Sequence, residues 1–347
     1  MDWKEAIKAL AYEMEQRLDA PTDGEPRPDR RRLTIVPYRG FGRGNEMLLR
    51  GRLLRDKKIT RVKAAEPIWR GVLNAYRRFE SDEVPGTKVT VTYRDAVVET
   101  MTDDEGHFQA RLQPSLLEEN LLWHPVQLTS GGVSATGHVL IPPANAEFGI
   151  ISDIDDTIVQ TGATRFTTMI RSVLLENAAM RMPFEGVAEL YKALHAGWNP
   201  IFYVSSSPWN LYDLLEDYMD IQGIPPGPMF LQDYGIDEAT FIHDAHDVHK
   251  LREIQSILDY YATLPFVLIG DSGQHDPEIY LRVIQANPRR IRLVIIRDVT
   301  EDVRDKTVTR LAEEARTAGV DMLYVKTSAE ALDHARKSTL VQYHPAS

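Results

Sequence analysis

The sequence predicts an α/β protein: a parallel sheet flanked by helices fills its second half, preceded by a β-sandwich-like region and an N-terminal helix. Three observations carry this. From Phe148 onward, short apolar runs alternate with helical stretches, which is the grammar of βαβ units and of a parallel sheet. Over residues 33–141 the signals are alternating residues and turn clusters, the pattern of a sandwich. Between the two, Ile141-Pro-Pro-Ala-Asn-Ala is hostile to both helix and strand and marks a boundary. The expected division is residues 1–32 as helix and linker, 33–146 as the β-sandwich-like domain and 147–347 as the α/β domain.

Taken in order, Trp3, Ile7, Leu10, Met14 and Leu18 fall at helical spacing, so residues 2–19 read as an amphipathic helix. Its polar face mixes both charge signs, which favours packing on protein over lying on a membrane. Residues 21–32, rich in Pro, Asp and Arg, read as a linker. Val89, Val91 and Tyr93 alternate, as do Phe108, Ala110 and Leu112, and Thr102-Asp-Asp-Glu-Gly106 between them is a turn. Trp123, Val126, Leu128, Val139 and Leu140 suggest further strands. The later apolar runs are 148–151, 201–204, 229–231, 266–269 and 293–296, with helical stretches at 187–195, 211–219, 250–260 and 303–317.

Composition narrows the function. At 347 residues with 43% hydrophobic and 26% charged, the chain has ample material for a core. A formal charge of −11, from 40 basic and 51 acidic residues, disfavours a nucleic-acid binder. There is no cysteine, which excludes disulfides, thiolate catalysis and zinc–cysteine sites. No apolar stretch approaches the roughly 20 residues that span a bilayer, and the N-terminus lacks a secretion pattern. A cytoplasmic protein is expected, with peripheral contact at a membrane surface left open.

The chemistry collects at strand ends. Asp153-Ile-Asp155-Asp156-Thr157 follows the apolar run 148–151, so two carboxylates reach the loop at a strand's carboxyl end, where ligands gather in open α/β sheets. Buried carboxylates that close repel unless a cation lies between them, so the pair asks for a metal. The bland alternative is an acidic turn capping a helix. Ser205 ends the next run, where a hydroxyl and adjoining amides suit a phosphate oxygen. Ser207 before Pro208 reads instead as a helix cap with proline at the first helical position. Lys250 opens a predicted helix capped by Asp247. His243, His246 and His249, spaced by three, read as surface or substrate contacts. Gly270 and Gly273 allow close backbone approach to a ligand, Asp271 sits at a strand tip, and Asp276 reads as the cap of the helix that Pro277 begins.

In combination these pieces resemble the haloacid-dehalogenase-like phosphohydrolase superfamily over about residues 148–347. DIDDT at 153–157, Ser205, Lys250 and GDSGQHD at 270–276 match its four motifs in order, with Ser206 the alternative for the second. PYRGFG at 37–42, SSSPWNLYDLL at 205–215 and IGDSGQHDPEIY at 269–280 further resemble the phosphatidate phosphatases of the fungal actin-patch-associated type and their bacterial relatives.

The resemblance implies a HAD-like catalytic domain hydrolysing a phosphomonoester through an aspartyl-phosphate. It implies Asp153 as nucleophile, Asp155 as acid/base, and Ser205 and Lys250 on the phosphate oxygens. It also implies Mg²⁺ held by Asp153, the Asp155 carbonyl and Asp271, with Asp276 in direct or indirect contact. Asp156 has no assigned role.

The expected substrate is a lipid phosphate such as phosphatidate. Rival readings are a soluble phosphometabolite or phosphoprotein as substrate, or a non-catalytic interaction protein. The insert at 159–200 reads as a small lid or as a packed amphipathic helix. Arg39, Arg43, Arg50, Arg52 and Arg55 form a basic run that reads either as a lipid-facing patch or as ordinary surface.

Overall fold

The structure, a computed structural model, describes residues 33–55, 84–158, 184–232, 243–300, 304–338 and 340. The expected N-terminal helix, the linker at 21–32 and residues 159–183 of the insert lie outside the described residues. Two compact units emerge. The first takes the described residues up to Ile141 together with Asn210–Tyr218, and the second takes the remainder from Pro142 onward.

In the first unit, eight strands form one mostly antiparallel sheet: β1 (Leu33–Pro37), β2 (Gly40–Arg43), β3 (Glu46–Arg55), β4 (Lys88–Tyr93), β5 (Ala96–Met101), β6 (His107–Leu112), β7 (Trp123–Ser130) and β8 (Val133–Leu140). The order is β1-β3-β2-β8-β7-β4-β5, with β6 also on β3. β3 pairs with β1 and β2 over different stretches and with β6 as well, which joins the strands of this antiparallel domain into one hydrogen-bonded sheet around a core.

The alternation read from sequence holds there. Val89, Val91 and Tyr93 and Phe108, Ala110 and Leu112 face that core. The turn between them uses Asp103 Oδ1 to accept from the amides of Glu105 and His107, with Gly106 at φ 77°. The basic run is broken up. Arg39 is mostly buried, its Nε 3.1 Å from Glu216 Oε1, and Arg52 Nε donates to the Glu105 carbonyl. Arg43, Arg50 and Arg55 are exposed.

The second unit carries a six-stranded parallel sheet: β9 (Gly149–Ser152), β10 (Ile201–Pro208), β11 (Met229–Gln232), β12 (Phe266–Asp271), β13 (Ile291–Arg297) and β14 (Asp321–Val325). Its order is β11-β10-β9-β12-β13-β14. Among the described residues of the whole chain, the helices are α1 (Val187–His195), α2 (Tyr212–Ile221), α3 (His243–Tyr260), α4 (Asp276–Ala286), α5 (Asp305–Thr317) and α6 (Ser328–Lys337).

β9 and β12 are buried along their whole length, as expected for strands covered on both faces. The chain leaves β9 toward β10 and β11, then returns to lay β12 on the other side of β9. The strand order therefore reverses at β9, and the crevice at its carboxyl end is the place such sheets offer to a ligand. Among the described residues no helix is long and apolar enough to cross a membrane.

Three local expectations are corrected. β10 runs on to Pro208, and a short 3₁₀ turn (Trp209–Leu211) precedes α2, so Ser207 is no helix cap. β9 pairs only with residues 201–203 of β10, and beyond its end the ladder asks less of Pro208. Next, α3 begins at His243, which puts Lys250 two turns inside the helix and removes Asp247 as its cap. Finally, α4 begins at Asp276 with His275 in the capping position, so Asp276 is not the cap either.

Candidate active site

Asp153 leaves β9 at the centre of the sheet and is 2% exposed. Its amide donates to the Ile269 carbonyl of β12 at 2.9 Å, which fixes the loop at its root. Thr157, one turn on, donates its hydroxyl to Asp153 Oδ2 at 3.4 Å. Behind the loop, Ser152 Oγ donates to the Asp153 carbonyl at 2.7 Å and meets the buried Tyr191 hydroxyl of α1 at 2.5 Å. Asp156 adopts φ 52°, a left-handed conformation that Asp tolerates better than most residues. That gives the residue without an assigned chemical role a place in the turn of the loop.

Lys250 is 3% exposed, and its ammonium lies 3.1 Å from Asp153 Oδ1 and 2.5 Å from Asp276 Oδ1. On α3 it continues the buried stripe of Ile254, Ile257, Leu258 and Tyr261, taking an apolar position with a charge. Burial opposes that charge, but the carboxylates of Asp153, Asp276 and Asp271 together outweigh it and hold the ammonium protonated. His249, read as a surface or substrate contact, is buried as well, with Nδ1 3.2 Å from Arg252 Nη2. The side chains of His243 and His246 lie outside the described set.

The β12 loop supplies the other carboxylates. Asp271 Oδ1 accepts from the amides of Gly273 and Gln274, at 2.7 and 3.0 Å. Asp276 Oδ2 accepts from the Asp271 amide at 3.2 Å. The glycines serve this arrangement directly. A Cβ on Gly270 would lie 2.3 Å from Asp276 Oδ2, and one on Gly273 would lie 3.0 Å from Asp271 Oδ1. The close approach read from sequence is thus to the site's own carboxylates.

Asp155 turns the other way. Its Oδ2 accepts from Ser205 Oγ at 3.0 Å and from Ser207 Oγ at 3.3 Å, while Ser205 Oγ accepts from the Ser207 amide at 2.9 Å. Burial raises the Asp155 pKa above the usual carboxylate value, against the lowering effect of Ser205. In a strand Asp153 and Asp155, two residues apart, would share a face, whereas past the end of β9 the loop sends one to Lys250 and the other to the serines. All six sequence-predicted residues therefore gather at one end of the sheet, with Ser205 directed at Asp155.

Asp153, Asp271 and Asp276 each offer an oxygen, and these oxygens lie within 4.8 Å of one another. Burial, then the Asp276 charge, push the Asp271 pKa up to about 7. Burial likewise raises Asp153 well above its ordinary value. Asp271 Oδ2 is buried without a hydrogen-bond partner, an expensive state for a carboxylate oxygen. An all-oxygen cluster with one orphaned lone-pair donor and excess negative charge fits a hard divalent cation such as Mg²⁺.

Several neighbours of the site were read in another role from the sequence or not singled out at all. Ser207 had a plausible competing role, and Ser152 and Tyr191 gave no signal apart from lying in or next to predicted core. Asp247 and His275 are paired across the site's rim, Asp247 Oδ2 to His275 Nδ1 at 2.7 Å. The adjacency of His275 to Asp276 was the available clue.

Comparison with known proteins agrees with the motifs. Residues 148–298 match the family described as phosphatidate phosphatase APP1, catalytic domain, so the resemblance is borne out over that stretch. The chain is 36% identical over 159 residues to the phosphatidate phosphatase APP1 of Saccharomyces cerevisiae, covering 45% of this chain and 27% of that one. It is 29% identical over 157 residues to an uncharacterized protein of Schizosaccharomyces pombe, covering 44% and 25%. The match thus spans about a quarter of the length of these curated relatives.

Among solved structures, a HAD family hydrolase from Deinococcus radiodurans is similar at TM-score 0.33 and 14% identity, over 58% of this chain and all of that one. A phosphoserine phosphatase from T. onnurineus is similar at TM-score 0.29 and 13% identity, over 55% and 94%. Likeness at these scores is too weak to weigh beside the motifs and the strand order.

Proposed function

We propose that residues 147–347 form a Mg²⁺-dependent phosphomonoester hydrolase that works through an aspartyl-phosphate, with phosphatidate or a related lipid phosphate as substrate. One observation carries the chemistry: Lys250 bridges Asp153 and Asp276 while Asp271 Oδ2 beside them has no partner. A cationic side chain and a cation-hungry carboxylate cluster around one central carboxylate are what phosphoryl transfer asks of a protein.

In this reading Asp153 attacks phosphorus in line, forming the acyl-phosphate bond as the ester P–O bond breaks. Asp155, with its raised pKa and its carboxyl held by Ser205 and Ser207, gives its proton to the leaving alkoxide. It then takes a proton from the water that attacks the aspartyl-phosphate, which releases phosphate and restores Asp153. Lys250 would hold the non-bridging oxygens, joined by Ser205 once its hydroxyl turns from Asp155 to the bound phosphate, and Thr157 keeps Asp153 in line.

Asp153, Asp271 and the Asp155 carbonyl would hold Mg²⁺. Asp276 supports them indirectly, since Lys250 and the Asp271 amide already engage its two oxygens. When bound, the ion neutralises charge on the phosphate and orients it. The lipid substrate is supported by the similarity over residues 148–298 and by the PYRGFG stretch. A cytoplasmic setting with peripheral contact at a membrane surface belongs to the same proposal, and nucleic acid is no partner in it.

The test is phosphate release from phosphatidate in mixed micelles against a panel of soluble monoesters and a phosphopeptide, with Mg²⁺ and with chelator. Turnover is expected to be highest on phosphatidate and lost in chelator. A soluble ester turned over faster would overturn the lipid assignment, and full activity in chelator would overturn the metal.

Asp155→Asn separates the acid from the nucleophile. It should slow alkyl phosphates by about 10²–10⁴-fold, the usual worth of a positioned acid, and aryl phosphates with good leaving groups much less. Equal losses on both would make Asp155 a structural residue.

A further inference from the structure

The inner contact between α3 and the 270–276 loop, Lys250 to Asp276, is fully buried. A second contact joins the same two elements further out. Asp247, three residues before Lys250 and so on the same helical face, accepts from His275, the residue before Asp276, at 2.7 Å. This outer pair is half-buried, with side-chain exposures of 51% for His275 and 27% for Asp247. On its other side the loop is held by Arg304, at the start of α5, which donates to the carbonyls of Ser272 and Gln274 and pairs with Glu278. Both rungs bear on where the helix stands.

We propose that Asp247 and His275 are positioning residues: their hydrogen bond latches α3 to the metal-site loop and so sets the reach of Lys250 between Asp153 and Asp276. Without the outer rung, the N-terminal turns of α3 are free to shift, and the ammonium shifts its weight among the carboxylates. The cluster then presents a different charge and spacing to a cation. The first readout below is independent of the proposed function, and only the second rests on its metal site.

The test uses the full chain and three variants. His275→Ala and Asp247→Ala remove the bond. His275→Asn keeps it, because the asparagine amide nitrogen takes the place of Nδ1. Without added metal, hydrogen exchange over residues 243–250 and 271–276 should quicken in both alanine variants and stay unchanged in His275→Asn. By titration calorimetry, Mg²⁺ should bind about tenfold more weakly in the alanine variants, the scale of losing a group that orients metal ligands, and normally in the asparagine one. An ordinary surface pair would move melting temperature and leave metal affinity alone.

Unchanged exchange in the alanine variants overturns the latch. Faster exchange with unchanged Mg²⁺ affinity overturns the positioning role, and a loss in His275→Asn equal to that in His275→Ala overturns the Nδ1 contact as its cause. If the unaltered chain takes no Mg²⁺, the metal reading of the site fails while exchange still decides the latch.

Discussion

Asp153→Asn is expected to abolish phosphate release, by at least about 10⁴-fold, as removal of a covalent nucleophile does elsewhere. The substitution is nearly isosteric, and Lys250 keeps Asp276 as its partner at 2.5 Å. It also replaces a buried carboxylate, raised well above its ordinary pKa chiefly by burial, with a neutral group. The metal-free variant should therefore melt within a few degrees of the parent, while the rise in melting temperature on adding Mg²⁺ shrinks. Substantial turnover in a preparation free of contaminating phosphatase would sink Asp153 as phosphoacceptor. Lost turnover together with a collapsed melting temperature would make its role in the fold the cause.

Gly270→Ala should also be damaging, although its side chain takes no part in the chemistry. The added Cβ would lie 2.3 Å from Asp276 Oδ2 and 2.8 Å from its Cβ and Cγ. Residue 270 is fully buried in β12, so the Asp276 carboxylate must yield, leaving Lys250 and the Asp271 amide. Overpacking of this kind costs about 1–3 kcal/mol of stability, and an ångström of misplacement in an active site costs on the order of 10²-fold in rate. Gly149→Ala is the control. Its Cβ meets the Phe266 ring at 2.3 Å, in the core and away from the carboxylates. It should destabilise similarly while the folded fraction keeps most of its activity. Equal activity losses in the two variants would attribute the Gly270 effect to folding alone.

Legibility in the sequence followed the range of the interaction. Phe148 to Ile151 and Phe266 to Ile269 are apolar runs because both faces of a central parallel strand are covered, so β9 and β12 could be read off directly. The carboxylates beyond them were equally plain, since a strand tip places them regardless of what packs nearby. β14 and α6 gave weaker signals: Asp321–Val325 is only partly buried, and just two alanines and a serine of Ser328–Lys337 are. The start of α3 was hidden because His-Asp-Ala-His-Asp-Val-His carries no apolar stripe. Its buried positions nearest the site hold His249 and Lys250, the lysine charged because it faces the carboxylates of Asp153 and Asp276.

The sequence alone determined which groups exist and at which strand ends they stand: Asp153 and Asp155 after β9, Ser205 on β10, Asp271 at the tip of β12 and Asp276 after it. These depend on neighbours along the chain, through alternation, periodicity and breakers. Tertiary structure decided which way each group faces. Ser207 met Asp155 instead of capping a helix, Asp276 turned to Lys250 and the Asp271 amide, and Gly270 made room for a carboxylate. Those outcomes follow from the strand order that lays β10 and β12 on either side of β9. Groups distant in sequence then compete for the same few donors, and no local pattern records who wins.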